Sequence, residues 1–394
     1  MKQRIFIMLF ACLLLSGCTG GLLAGDSSKQ GSSETVNSGD AESKPPKDEA
    51  IHTATLFAAG DNLIHDVIYE QALRRTQNKG YNFLPVYENM NAQIAAADIS
   101  FINQEAPIAK GFPPSSYPRF NAPTQLAGDL KTLGFDVVNI ANNHILDKGL
   151  QGLTETIDIL RSTQGLTMIG AYQSEKEYDT TTLIAKNGIK FAFLGFTQHT
   201  NGLRLPDENA GMLVYTDELE AIERQITAAR KVADVVVVSV HWGEEGMKQT
   251  TLYQQNIAKH FAQYGADIVI GTHPHVLQPI EYVDGADGHK ALVFYSLGNF
   301  VSAQVDPENL IGGIAKITVQ KNDTTGKISV IDPKLSVVIT HFGLGFHDLK
   351  LYPLADYTDE LAEKHGVVLK YGKWFDTKFI KNFVEEVIDK QFIE

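Results

Sequence analysis

Two histidines two residues apart, His273 and His275, close an apolar run in the stretch IVIGTHPHVLQ at 268–278. Neutral imidazole is the commonest protein ligand for transition metals, so the pair can face one ion or two adjacent ions. The same chemistry recurs upstream, each time just beyond an apolar run. Asp61 and His65 follow TATLFAA, Glu105 follows ISFI, Asn143 and His144 follow FDVVNIA, and His241 follows DVVVVSV. Taken singly, Asp61 reads as a helix N-cap, Asn143 as a turn former, and His144 or His241 as a hydrogen-bonded core histidine. Independent caps and turns have no reason to recur with ligand chemistry at five places, and five of the twelve histidines fall in these clusters. A dinuclear centre needs a bridging carboxylate between ions about 3.5–4 Å apart, with nitrogen and oxygen donors completing each shell. This set includes such a carboxylate. Asp147, three residues beyond His144, can orient that imidazole, and Glu244 beside Trp242 can support His241. Arg119 offers either a cation for an anionic substrate group or an ordinary surface ion pair.

The elements that must position these groups read as α/β. Apolar strands at 53–59, 99–102, 135–141, 234–240 and 266–270 alternate with amphipathic helices at 85–97, 124–133, 150–163, 216–232 and 252–264, and Gly134 and Gly265 supply C-caps. In open α/β sheets, sites gather outside the carboxyl ends of the strands, where all five clusters fall. A helix beginning near Asn62 would place Asp61 and His65 on one first turn. Asn187-Gly188 predicts a hairpin within 183–196, and a second hairpin, 279–282 with 291–295, leads into Ser296-Leu297-Gly298-Asn299-Phe300. Beyond Phe300 the pattern becomes antiparallel strands at 313–319 and 327–339 and a terminal helix at 377–391. That segment carries no clustered ligands and reads as a structural extension.

The formal net charge of -13 argues against a nucleic-acid partner, since affinity for phosphate backbones rests on Lys and Arg. An anionic substrate then needs local positive charge, and metal ions are one source. At the N-terminus Lys2 and Arg4 precede the apolar run Ile5 to Leu15, which is short of the roughly 20 residues that span a bilayer. Leu15-Ser16-Gly17-Cys18 resembles a bacterial lipobox, in which Cys18 is lipidated and becomes the new N-terminus. Cys12 leaves with the signal, so no disulfide is available. The polar segment that follows, with Pro45-Pro46, cannot bury enough surface to order itself. The expected organisation is a lipoprotein signal at 1–17, lipidated Cys18 with a disordered tether to 50, a main domain at 51–305, and a C-terminal extension at 306–394. The expected location is extracytoplasmic, anchored to the membrane by the lipid.

The ordered series GDNLIH, NQEAPI, RFNAP, ANNHILDKG, HWGEE, GTHPHVLQ and YSLGNF, between about Thr53 and Phe300, resembles the capsule-synthesis CapA family. That family is associated with poly-γ-glutamate production and is related to the calcineurin-like metallophosphoesterases. The resemblance implies a four-layer α/β/β/α sandwich holding two divalent ions drawn from Mn, Fe, Zn or Mg. Asp61 and His275 would serve one ion, Asn143, His241 and His273 the other, and Glu105 would bridge them. His144 would protonate the leaving group, with Asp147 behind it, while Arg119, Glu244 and Asn299 would lie on the substrate side. Two departures stand out. The superfamily's Asp-x-His is here Asp61-x-x-x-His65, which makes His65 a supporting or substrate-contacting group, and Glu105 replaces the usual bridging Asp. The implied function is a hydrolase or transferase on an anionic polymer such as poly-γ-glutamate. The alternatives are a non-catalytic polymer-binding subunit beside a membrane-bound synthase, or a general metallophosphoesterase.

Overall fold

Successive side chains of a strand point to opposite faces, and residues 189–197 and 235–241 are apolar on both. Phe191, Phe193, Val235 and Val237 enter one hydrophobic core, whereas Ala192, Leu194, Val236 and Val238 enter a second. A sheet apolar on both faces needs cover on both. In the computed structural model, which describes residues 50–394, another sheet covers one face and the helices Leu219–Val232 and Leu252–Tyr264 cover the other. The signal, Cys18 and the tether up to residue 49 lie outside the described residues.

The strands in chain order are β1 (Ile51–Asn62), β2 (Ile99–Gln104), β3 (Val137–Asn139), β4 (Thr167–Ile169), β5 (Thr182–Lys186), β6 (Ile189–Thr197) and β7 (Val235–His241), then β8 (Ile268–Thr272), β9 (Ile280–Asp284), β10 (Lys290–Phe294), β11 (Asn299–Val301), β12 (Ile311–Asn322), β13 (Ile328–His341) and β14 (Lys350–Pro353). One sheet has the order β14-β13-β12-β1-β2-β3-β4, with β11 also paired to β1. The other has the order β5-β6-β7-β8-β10-β9. In the first, β1 to β4 run parallel; in the second, β6, β7, β8 and β10 do. The helices Gln125–Leu133 and Gly149–Ser162 bring Leu126, Leu130, Leu153 and Ile157 into the core that the first sheet shares. The layers are therefore helix, sheet, sheet, helix, as expected from the sequence. Among the described residues no helix is long and apolar enough to cross a membrane.

The chain after residue 306 does more than trail behind. β12 pairs antiparallel with β1 from Ile51↔Asn322 to Ala59↔Ile314, so the strand that carries Asp61 is held on both sides. β1 also runs three residues past its apolar run, because Asp61 and Asn62 continue the ladder opposite Asn103 and Gln104. The neighbouring helix consequently starts at Asp66 and not near Asn62, and Asp61 and His65 do not share a helical turn. The stretch 85–97 breaks into Leu84–Tyr87, Glu88–Met90 and Asn91–Ala96. Asn89 there gives its side-chain N–H to Leu351 O at 2.8 Å, a tertiary bond made from the short segment Glu88–Met90. The Asn187-Gly188 hairpin forms with both residues at positive φ, +49° and +79°, as a tight two-residue turn requires.

Candidate metal centre

Asp61, Asn103 and Asn139 lie in register across β1, β2 and β3. Asn139 Nδ2 donates to Asn103 Oδ1 at 2.8 Å, and Asn103 Nδ2 donates to Asp61 Oδ1 at 2.8 Å. This buried relay reaches the second sheet: a Cβ added to Gly170 or Gly195 would lie 2.5 or 2.4 Å from Asn139 Oδ1. Asp61 Oδ2 accepts the His273 backbone N–H at 3.2 Å, so one carboxylate ties β1 to the turn after β8. That turn holds both histidines in the left-handed region, His273 at φ +100° and His275 at +60°. Side chains other than glycine pay of order 1–3 kcal/mol for such a conformation, and it persists where the surroundings impose it.

Glu105, immediately after β2, is 0% exposed, and neither of its carboxylate oxygens has a hydrogen-bond partner. A buried carboxylate left bare is costly. Burial, then the Asp61 charge, push its carboxyl well above the usual range. Around it two groups of ligand atoms converge, Asp61 with Glu105 and His275, and Glu105 with His241 and His273, each within 4.8 Å. His275 Nδ1 lies 3.2 Å from Asp61 Oδ2 and 3.7 Å from Glu105 Oε2, and His241 Nε2 lies 3.5 Å from Glu105 Oε1. Asn143 Oδ1 and His273 Nδ1 approach the same His241 Nε2 at 3.0 and 3.1 Å. A divalent ion in each group would give each bare oxygen a partner, so the donor set fits a pair of metals sharing Glu105.

The imidazoles are prepared for that role. His241 Nδ1 sits 2.9 Å from Thr272 Oγ1, which holds the ring in place; with the proton on Nδ1, the Nε2 lone pair would be free for a cation beside Glu105. Burial, then neighbouring imidazoles, hold His241 and His273 well below their ordinary range, in the neutral form that binds metal. At His275 burial also lowers the pKa, but the hydrogen bond and charge of Asp61 outweigh it and the net shift is upward. Beside the centre, Asp147 Oδ2 accepts both His144 Nδ1, at 2.8 Å, and the Phe120 backbone N–H, at 2.7 Å. The Phe120 ring packs edge-on against His144, with centroids 4.7 Å apart. Arg119 next to it is exposed and makes no ion pair among the described residues, while Lys148 Nζ donates to Arg119 O at 3.1 Å.

Asp61, Glu105, Asn143, His241, His273 and His275 thus come together, with His144 and Asp147 alongside. Three other candidates sit differently. Asn299 is buried with Oδ1 3.0 Å from His275 Nδ1, and its amide N–H groups go to Gln304 Oε1 and Asn309 O, so it braces His275 and has no N–H left for a substrate. His65 is the N-cap residue of the helix Asp66–Arg75, receives the Ala303 N–H at 3.2 Å, and stands outside both ligand groups. Burial first lowers its pKa to about 4. Glu244 does not support His241, because it is exposed on the turn after β7 and the His241 ring is braced by Thr272 instead. The sequence reading passed over His199 and Asn201. They follow the end of β6, and a histidine just past one more strand end was the available signal.

A family model described as "Bacterial capsule synthesis protein PGA_cap" matches residues 55–304. The chain is 36% identical over 197 residues to the PGA biosynthesis protein CapA of Bacillus subtilis (strain 168), covering 50% of each. It is 37% identical over 179 residues to the capsule biosynthesis protein CapA of Bacillus anthracis, covering 44% of this chain and 42% of that one. The chain spans about half the length of these curated relatives. Among solved structures, a phosphatase of Mycoplasma pneumoniae aligns with TM-score 0.45 and 13% identity over 74% of this chain and 95% of that one. The NAD nucleotidase of Haemophilus influenzae aligns with TM-score 0.47 and 10% identity over 85% and 60%.

Proposed function

The chain belongs to the bacterial capsule synthesis PGA_cap family, and from that membership we propose that it is a metal-dependent hydrolase or transferase acting on an anionic envelope polymer of the poly-γ-glutamate kind. The observation that carries this reading is Glu105, a fully buried carboxylate with two bare oxygens standing between two sets of ligands. Asp61 and His275 would hold one divalent ion, Asn143, His241 and His273 the other, with Glu105 common to both. When bound, such a pair lowers the pKa of a water and polarises a carbonyl or phosphoryl oxygen.

The chain's own groups supply the rest. Asp147 accepts the His144 Nδ1–H; when Nε2 is protonated as well, that second proton would be the one handed to the departing amine or alkoxide, leaving a ring that is neutral and protonated on Nδ1. Phe120, pinned by its backbone to the same carboxylate, keeps water from one face of that imidazole. Arg119 precedes Phe120 and Lys148 follows Asp147, so two cations lie on the segments that carry the partners of His144 in a chain of net charge -13, and they suit the carboxylates of an anionic polymer. The lipobox-like Leu15 to Cys18 supports a lipid anchor on the extracytoplasmic side, close to the membrane-bound subunits that would make or pass on the polymer.

The alternative, a polymer-binding subunit without turnover, is favoured by similarity to a Mycobacterium tuberculosis protein described as a "probable polyglutamine synthesis accessory protein", 26% identical over 177 residues. The test is metal analysis of the purified protein together with assays on poly-γ-glutamate and on phosphoesters, beside Asn143→Ala and His144→Ala variants. The reading expects bound metal, polymer cleavage or transfer, and loss of turnover in both variants, with metal retained in His144→Ala. Bound metal with no turnover of either substrate would favour the accessory role, turnover of phosphoesters alone a general phosphoesterase, and absence of metal would remove the reading.

A further inference from the structure

The loop 198–204, between β6 and the turn at Asp207–Met212, reaches over the Asn143 side of the centre although none of its residues belongs to either ligand group. It is built to be rigid. Gln198 N–H donates to His241 O at 2.8 Å, and Gln198 Oε1 accepts the Gly243 N–H at 2.9 Å. The Thr197 hydroxyl donates to His199 O at 2.9 Å, and the buried Thr200 hydroxyl donates to Leu203 O at 2.7 Å and lies 3.0 Å from the Tyr215 hydroxyl. Asn201 takes φ +51°, a conformation that asparagine tolerates better than most residues, and Gly202 follows at +74°. With the loop fixed through these bonds, two side chains are left over the centre.

Asn201 Oδ1 accepts from Asn143 Nδ2 at 3.4 Å. This decides which end of the Asn143 amide faces inward: with its nitrogen taken by Asn201, the oxygen lies toward His241, as a cation would require. Asn201 Nδ2 lies 3.5 Å from His144 Nδ1, but that nitrogen gives its proton to Asp147 and cannot accept another. The Asn201 amide therefore keeps donors without an acceptor, on an exposed residue beside the centre. His199 stands edge-on to His273, with centroids 5.0 Å apart, and its Nδ1 accepts the Asn201 backbone N–H at 3.4 Å, which puts the ring proton on Nε2.

We propose that this loop is the anion-holding wall of the centre: Asn201 sets the orientation of Asn143, and the Asn201 amide N–H groups and His199 Nε2–H bind an oxyanion carried by the substrate. The proposal rests on the metal-centre reading above and adds to it a binding group that is neutral, directional and separate from the cations Arg119 and Lys148. Hydrogen bonds to a charged partner are the stronger kind, and losing one costs about tenfold or more in affinity.

The test uses the purified protein, titrated first with Mn²⁺ and then, Mn²⁺-loaded, with inorganic phosphate as the oxyanion probe. Asn201→Gly keeps the positive-φ backbone while removing the amide; it should bind phosphate about tenfold more weakly and also weaken Mn²⁺ binding, since outer-shell partners typically contribute 10–100-fold. Asn201→Asp separates the two roles: its carboxylate still accepts from Asn143, so Mn²⁺ affinity holds, while phosphate affinity falls further than in the glycine variant. His199→Phe should lower phosphate affinity alone. Phosphate affinity equal to wild type in all three variants overturns the proposal, as does a Mn²⁺-loaded wild type that binds no phosphate. A wild type that binds no Mn²⁺ overturns both this proposal and the reading beneath it, so the two failures are told apart.

Discussion

The molecule holds two buried histidine pairs of nearly identical spacing. His241 and His273 have ring centroids 4.7 Å apart at the ends of β7 and β8, and His341 and His365 lie 4.8 Å apart behind β13. Burial depresses all four rings, His341 to about 3 and His365 to about 4. By burial and pKa alone the pairs cannot be told apart. Their partners differ. His365 accepts the Val367 N–H on Nδ1 and donates from Nε2 to Thr340 O, both at 3.0 Å, and His341 Nδ1 accepts from the Tyr357 hydroxyl at 3.0 Å. No carboxylate approaches this pair among the described residues. His241 and His273 instead converge with Asn143 on Glu105, whose oxygens have ion-pair neighbours but no hydrogen-bond partner. The candidate site is marked here by a buried carboxylate without hydrogen bonds, and His365 by a closed set of them.

The sharpest way to break the contrast is Glu105→Gln. It should abolish metal binding at both ligand groups, a loss of at least about 100-fold in affinity, without lowering the metal-free melting temperature, because a bare buried carboxylate contributes nothing to hold the fold. A metal-free variant that melts well below wild type would mean that Glu105 is structural. Next in size, Asp147→Asn should cut turnover by about 10²–10⁴-fold with metal content unchanged, since general-acid chemistry typically contributes that much. Equal loss of metal and turnover would place Asp147 in the ligand set.

His365→Ala should cost about 2–4 kcal/mol in urea denaturation and leave metal content as in wild type, because it removes a buried ring and strands the Val367 N–H and Thr340 O. His273→Ala should differ in both respects, with metal lost and a smaller cost to the metal-free protein, because it removes a buried ring but strands no backbone group. If His365→Ala released metal, the two pairs would not be independent.

A comparable but gradual effect is the pH dependence of His365. An unfolded His365 takes its proton near pH 6.5 and the folded one near 4, so between those values the unfolded state binds more protons. The stability from keeping this ring neutral is complete above about pH 6.5 and is lost as pH falls toward 4, by up to about 3 kcal/mol. His365→Asn, which keeps a capping acceptor but cannot titrate, should make the melting temperature fall less steeply across that window, the remaining slope including that of the buried His341. An unchanged slope would assign the acid sensitivity elsewhere.

The layer order and the gathering of these polar residues at strand ends were legible because each depends on local pattern. Apolar runs fix strands, and polar residues at their carboxyl ends stand out against them. The extent of β1 was hidden, since Asp61 and Asn62 join the ladder through Asn103 and Gln104 and not through hydrophobicity. So was the bracing of the ligands: Thr272 behind His241 and Asn299 behind His275 are recognisable only once distant strands are set side by side. Asn201 lay in a polar loop of the kind that sequence patterns pass over. The part played by β12 was equally unreadable, because nothing within 311–322 announces that its partner is the strand bearing Asp61.

The most direct measurement is anomalous diffraction from crystals of the protein grown with Mn²⁺. The account predicts two peaks flanking the Glu105 carboxylate, one bounded by Asp61 and His275 and the other by Asn143, His241 and His273. Glu105 oxygens hydrogen-bonded to protein groups or water, with no peak beside them, would contradict it.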